Sequence, residues 1–147
     1  IPCAESCLTT PAAVNEKDPM ERPYVVKPTA EGSTFGVRIV RSGDWLFIMG
    51  HIAVDDTRKN VIGKGDMKAQ TRRCFDRIKI ALEDAGAELD DIVMITYYMT
   101  DITKIGDALG AQKEYLPNGG VAGSGVGINR LAEPEAMVEI EAIAFSP

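Results

Sequence analysis

Residues 119–145 read GGVAGSGVGINRLAEPEAMVEIEAIAF: a glycine-rich turn, a short strand, a proline-containing connection and a closing strand whose apolar run is interrupted by two acids. Side chains alternate across a strand, so Val138, Ile140, Ala142 and Ala144 share one face. Met137, Glu139, Glu141, Ile143 and Phe145 share the other. Both faces are apolar enough to be buried. Carboxylates avoid full burial unless paired or hydrogen-bonded, so Glu139 and Glu141 are costly where they stand. They lie two residues apart, roughly 6.6 Å at about 3.3 Å per residue, close enough for each charge to raise the pKa of the other. Two readings are open. Either this is an edge strand whose second face meets solvent, or that face meets another subunit and at least one acid lines a pocket at the seam.

The clearest helix upstream spans residues 66–85. Thr71, Cys74, Phe75, Ile78, Ala81, Leu82 and Ala85 recur at three- and four-residue spacing and form one apolar stripe. Asp66 is placed to cap its start and Gly86 its end, and Cys74 reads as core. Asp90-Asp91 precede a strand over residues 92–100 that is apolar on both faces, the pattern of a strand covered on both sides. Asp101 then caps a shorter helix through Ile105, Ala108, Leu109 and Tyr115, ended by Pro117-Asn118-Gly119-Gly120. Before the long helix, Val37-Arg38-Ile39-Val40 and Trp45-Leu46-Phe47-Ile48-Met49 flank Arg41-Ser42-Gly43-Asp44, which predicts a β-hairpin. The order of strand, strand, helix, strand, helix, strand, strand argues for an α+β fold, a mixed sheet with two helices on one face. The other face, carrying Glu139, Glu141 and Phe145, is then bare, and a patch of that kind predicts self-association.

The length of 147 residues suits one domain, with residues 1–19 expected to be an extension or added segment and residues 20–147 the folded unit that starts at Met20. Sixteen basic against 22 acidic residues give a net charge of −6, and no basic run exceeds two residues. Nucleic acid is disfavoured as the main partner, because phosphate neutralisation supplies most of such affinity. No stretch approaches the length of a membrane span, and the segment 1–19 lacks the basic start and apolar run of a secretory signal, so the protein is expected in the cytoplasm. Cys3 and Cys7 have no His or second cysteine pair at metal-binding spacing. A disulfide between them would suit an oxidising compartment. With no nucleotide loop, metal constellation or Ser-His-Asp set, no cofactor and no metal are expected.

Several segments together resemble the Rid (YjgF-like, also called endoribonuclease L-PSP-like) family, which includes 2-iminobutanoate/2-iminopropanoate deaminases. They are Gly43-Asp44-Trp45-Leu46-Phe47-Ile48-Met49-Gly50, the helix end Ala81-Leu82-Glu83-Asp84-Ala85-Gly86, Tyr98-Met99-Thr100-Asp101 and Val138-Glu139-Ile140-Glu141-Ala142-Ile143-Ala144. The likeness runs over residues 24–145. It implies a chorismate-mutase-like α+β subunit in a homotrimer with three sites in the interface clefts. Glu139 matches the glutamate proposed in the family to position or activate the hydrolytic water. The arginine with which the deaminases grip a substrate carboxylate, a bidentate task suited to guanidinium, is replaced by Gly123 in Val121-Ala122-Gly123-Ser124. The expected tyrosine is absent near Phe35 and Gly36, and Met49-Gly50-His51 stands for the usual Ser-Gly-Gln.

Three functions remain open. The first is a Rid-like hydrolase or deaminase acting on a small imine, enamine or amide-like metabolite, not necessarily a carboxylate. In that reading Glu139 is the acid–base group, and amides of a Gly123–Gly125 turn donate to a developing oxyanion. His51, the only histidine, either joins Glu139 in catalysis or serves as a structural hydrogen bonder. Substrate contacts fall to Gly123, Ser124, Gly125, Phe35 and Tyr98. Arg130 could replace the missing arginine or simply be exposed at a strand end. The second function is a non-catalytic trimer that binds a small metabolite or a protein. The third, a nuclease-like or translation-inhibiting role, sits poorly with the acidic balance.

Overall fold

The computed structural model describes residues 25–26, 38–39 and 44–146. Strands β1 (Val25–Val26) and β2 (Arg38–Ile39) pair antiparallel in a small sheet of their own. The main sheet contains β3 (Asp44–Ile52), β4 (Ile92–Met99), β5 (Ala122–Gly127) and β6 (Val138–Ser146), in the order β3-β6-β4-β5. Helix α1 (Met67–Asp84) connects β3 to β4, and α2 (Ile105–Tyr115) connects β4 to β5. The mixed sheet with two helices is the α+β architecture expected from the order of elements. Two expectations need correction. Among the described residues, Arg38 and Ile39 pair with β1 and not with β3, while the expected hairpin connection Arg41-Ser42-Gly43 lies outside them. The chain-terminal β6 is an interior strand, antiparallel to both β3 and β4, which rules out an edge position for the two acids.

Local chemistry fixes the ends of α1. The Asp66 carboxylate accepts from the Ala69 amide at 2.9 Å, satisfying one of the first-turn donors. At the other end the amide of Gly86 donates to Glu83 O (3.0 Å) and that of Ala87 to Leu82 O (2.9 Å). This paired closure needs a left-handed residue, and Gly86 supplies it with φ of 78°. Between these caps Cys74, Phe75, Ile78 and Leu82 are buried along one stripe.

That stripe packs on the side of the sheet formed by Leu46, Ile95, Tyr97, Met99, Val138, Ile140, Ala142 and Ala144. The helices also hold each other. Phe75 stacks on Tyr115 with centroids 5.1 Å apart, Tyr115 donates to Asp76 at 2.7 Å, and Arg72 makes two bonds of 2.8 Å to Glu114. The fully buried Gln70 ties α1 to the entry of β6. Its amide nitrogen donates to Glu135 O (2.9 Å) and Gly63 O (3.2 Å), and its oxygen accepts from the Met137 amide (2.7 Å). The start of β6, two residues before Glu139, is thereby fixed against the long helix.

The described helices cover only this face of the sheet. β4, apolar on both sides in sequence, is buried at Ile95, Tyr97 and Met99 but leaves Met94 exposed and Thr96 and Tyr98 half-buried on the opposite side.

Candidate functional site

The uncovered face collects large apolar side chains from three strands. Trp45 (54% exposed), Phe47 (58%) and Met49 (42%) stand on β3, with Phe145 on β6 and Met94 on β4 beside them. Trp45 packs on Phe145 with ring centroids 5.3 Å apart. Monomeric proteins seldom leave so contiguous an apolar patch in water. Glu139 and Glu141 lie on the same face, both half-buried.

Strand register places the polar groups around them. In one row Ser124, Thr96 and Glu141 lie side by side across β5, β4 and β6. In the next row Val126, Tyr98 and Glu139 do so. Directly opposed residues share a face of the sheet, so Ser124, Tyr98 and the two acids all belong to the uncovered side. The Tyr98 hydroxyl passes over its direct partner and donates to Glu141 Oε1 at 2.8 Å. That bond to a carboxylate holds the Tyr98 hydroxyl above its ordinary pKa, so it stays protonated and remains a donor. Glu139 is also shifted upward, first by loss of water around it and then by the nearby charge of Glu141. Among the described residues no hydrogen-bond donor meets its carboxylate.

β3 approaches Glu139 from the other side. Ile48 pairs with Ala142 and His51 with Ile140, so Met49 and Gly50 together oppose the single residue Glu141 in a β-bulge. The bulge puts His51 in register with the buried Ile140, on the helix face. His51 is therefore not brought to Glu139; the sheet separates them. Burial, aided by the positive charges of Arg77 and Arg58, lowers its pKa from the ordinary 6.5 to about 4, so the ring is neutral at neutral pH.

The glycine-rich segment expected as a turn is instead the edge strand β5, parallel to β4. Its alternation explains the glycines. A Cβ at Gly125 would sit 3.0 Å from Ile105 Cδ1 and one at Gly127 3.5 Å from Ile102 Cβ, so these two face the helix layer. Gly123 shares that side, in register with the buried Ile95, yet a Cβ there would meet only Ile95 O at 3.6 Å. Packing is tight at 125, where an added Cβ presses on the tip of Ile105, and leaves room for a side chain at 123. Gly123 and Gly125 lie toward the side of the sheet away from the face that carries Glu139, while Ser124 points toward that face. Arg130 is exposed in the loop after β5. Phe35 and residues 1–19 lie outside the described residues.

Two parts of this arrangement were missed in sequence. The alternation of Trp45, Phe47 and Met49 hides in a run apolar at every position, so it gives no sign of which face is open. The bulge at Met49-Gly50 has only its glycine as a signal. Among the described residues no three His, Cys, Asp or Glu come together as metal ligands, and no helix is long and apolar enough to cross a membrane.

Comparison with known proteins gives consistent matches. The family model described as "Endoribonuclease L-PSP" matches residues 29–146. A RutC family protein of Pyrococcus abyssi is 34% identical over 106 residues, covering 72% of this chain and 82% of that protein. Among solved structures, a member of the YjgF/YER057c/UK114 family from Mycobacterium tuberculosis is 33% identical with a TM-score of 0.63, over 75% of this chain and 86% of that one. The YjgF gene product of E. coli is 28% identical with a TM-score of 0.67, over 82% and 93%. The sheet order and helix placement are thus those of the chorismate-mutase-like fold these structures share.

Proposed function

Because the chain belongs to the endoribonuclease L-PSP (YjgF/RutC) family, we propose that it is a Rid-like hydrolase. It removes nitrogen from a small imine, enamine or amide-like metabolite in clefts between three copies of the chain. The observation that carries this reading is Glu139 itself, a half-dry carboxylate with a raised pKa and no donor among the described residues, on a sheet face that one subunit leaves open. Hydrolysis of an imine adds water across C=N and ends in a carbonyl compound and ammonia. The step needs a group that takes a proton from water during attack and returns one to the departing nitrogen. A carboxyl group whose pKa is moved toward neutrality serves both halves. Glu141, tied to Tyr98, supplies the neighbouring charge that keeps Glu139 inclined to hold its proton.

Gly123 narrows the substrate. With no guanidinium at this position, a substrate carboxylate loses its bidentate partner, which favours imines or amide-like compounds without one. In one subunit Gly123 and Glu139 lie on opposite faces, so a site that uses both draws them from different copies. Ser124, Tyr98 and the outward amides of the β5 edge remain to bind substrate, and His51 has a structural role behind the sheet. The empty position 123 also favours a second reading, a trimer that binds a metabolite without turning it over. RNA as substrate is disfavoured by the net charge of −6 and by two acids on the open face.

Glu139→Gln separates the two main readings. Assayed for ammonia release over a panel of imines with and without a carboxylate, the variant is expected to lose about 10²–10⁴-fold in turnover with its assembly unchanged. Equal turnover by the variant would remove Glu139 from the chemistry, and no turnover by the natural protein on any member of the panel would leave the binding module. Gly123→Arg is expected to shift preference toward the carboxylate-bearing imines.

A further inference from the structure

Glu139 has a definite direction although no described donor holds it, and the reason lies in β3. An ideal Cβ on Gly50 would fall 2.0 Å from Glu139 Oε1, 2.7 Å from Cδ and 2.8 Å from Cγ. Three atoms of the glutamate occupy the space that any side chain at position 50 would need. The backbone itself does not ask for glycine, because Gly50 is not among the residues with positive φ. The bulge turns the bare backbone of Gly50 toward the open face, where the acid lies. On the opposite side Tyr98, directly across from Glu139, gives its hydroxyl to Glu141.

We propose that Gly50 is a positioning residue: at the bulge its missing side chain forms the seat on which the Glu139 carboxylate lies. The inference rests on the role proposed above for Glu139. A carboxylate held by shape keeps its oxygen lone pairs for water and substrate, which one pinned by hydrogen bonds would not. Lying against β3 also strips water from it on one side. Among the described residues, the groups that face Glu139 are Glu141 on its own strand, Tyr98 on β4, and Gly50 and Ile52 on β3. Glu141 and Tyr98 are the only titratable ones among them.

The test is Gly50→Ala in the full chain, read by carbon-13 NMR titration of labelled glutamate, with Glu139 assigned by its loss in Glu139→Gln. The added methyl is expected to push the carboxylate off its seat, so that its midpoint falls toward the ordinary value of about 4.3. Thermal unfolding of Gly50→Ala in a Glu139→Ala background gives the control. The loss in Tm caused by Gly50→Ala is expected to vanish there, because the new methyl then has room. An unmoved Glu139 midpoint together with the same Tm loss in both backgrounds would overturn the proposal and make Gly50 a purely backbone requirement. Should Gly50→Ala alone fail to fold, the double variant decides: folding supports the seat and failure overturns it. If Glu139→Gln keeps its turnover while Gly50→Ala moves the titration, the catalytic reading falls and the seat stands.

Discussion

Glu139 is ionisable where ionisation is expensive, and that has a consequence for stability as well as for chemistry. Its pKa is raised in the folded chain, so its contribution is fully favourable below the ordinary glutamate pKa and is lost as pH rises through the higher folded value. Glu139→Gln is therefore expected to match the natural protein in thermal stability near pH 3 and to exceed it increasingly above about pH 4.3. Parallel melting curves across that range check this. His51 behaves in the opposite sense. Its folded pKa of about 4 lies below the ordinary 6.5, so stability is intact above 6.5 and is lost as pH falls through the interval between them. The full penalty is on the order of 3 kcal/mol. A His51→Asn variant, compared by denaturant titration at pH 7 and pH 4, is expected to show a smaller fall than the natural protein. That the only histidine and the two acids were special was legible in sequence, because unusual residue types in apolar runs declare themselves. That they sit on opposite faces was not, because the bulge between Ile48 and His51 reverses the alternation.

Among the elements, β6 depends on its anchoring at Gln70 and β5 on the pattern of its glycines. Removing the Gln70 side chain orphans the Met137 amide and the Glu135 carbonyl at the entry to β6. Gln70→Leu is expected to cost on the order of 2–3 kcal/mol in urea unfolding. In β5, Gly123→Ala is expected to change stability by less than about 0.5 kcal/mol, since its new methyl meets only Ile95 O at 3.6 Å. Gly125→Val pushes against Ile105 and Ile102 and is expected to cost about 1–3 kcal/mol by overpacking. A cost at Gly123 equal to that at Gly125 would contradict the placement of the two on this strand. The helices were plain in sequence: the stripe through Cys74, Phe75, Ile78 and Leu82 has one period, with Asp66 and Gly86 marking its ends. β5 was harder to read. Glycine every second residue signals a turn when the neighbours are unknown, and the extension of the expected short strand over Gly123 and Gly125 is recognisable only once Ile102 and Ile105 are seen filling the places its side chains would take.

For the whole molecule, helices on one side of a four-stranded sheet leave Trp45, Phe47, Met94 and Phe145 uncovered around the two acids. The sequence already implied a bare face, given that both helices were expected on a single side of the sheet. What it could not convey was that the terminal strand lies inside the sheet, so that its acids are flanked by Thr96 and Tyr98 of β4 on one side and by β3 on the other. That arrangement makes sense if other copies of the chain close over the face and leave Glu139 in a small wet cleft. Sedimentation equilibrium at micromolar concentration tests this most directly, on the natural protein and on Phe47→Glu. Closure by three copies predicts a species of three chains for the natural protein and a shift toward single chains for the variant. A natural protein that sediments as one chain, with Glu139 left facing bulk water, would contradict it.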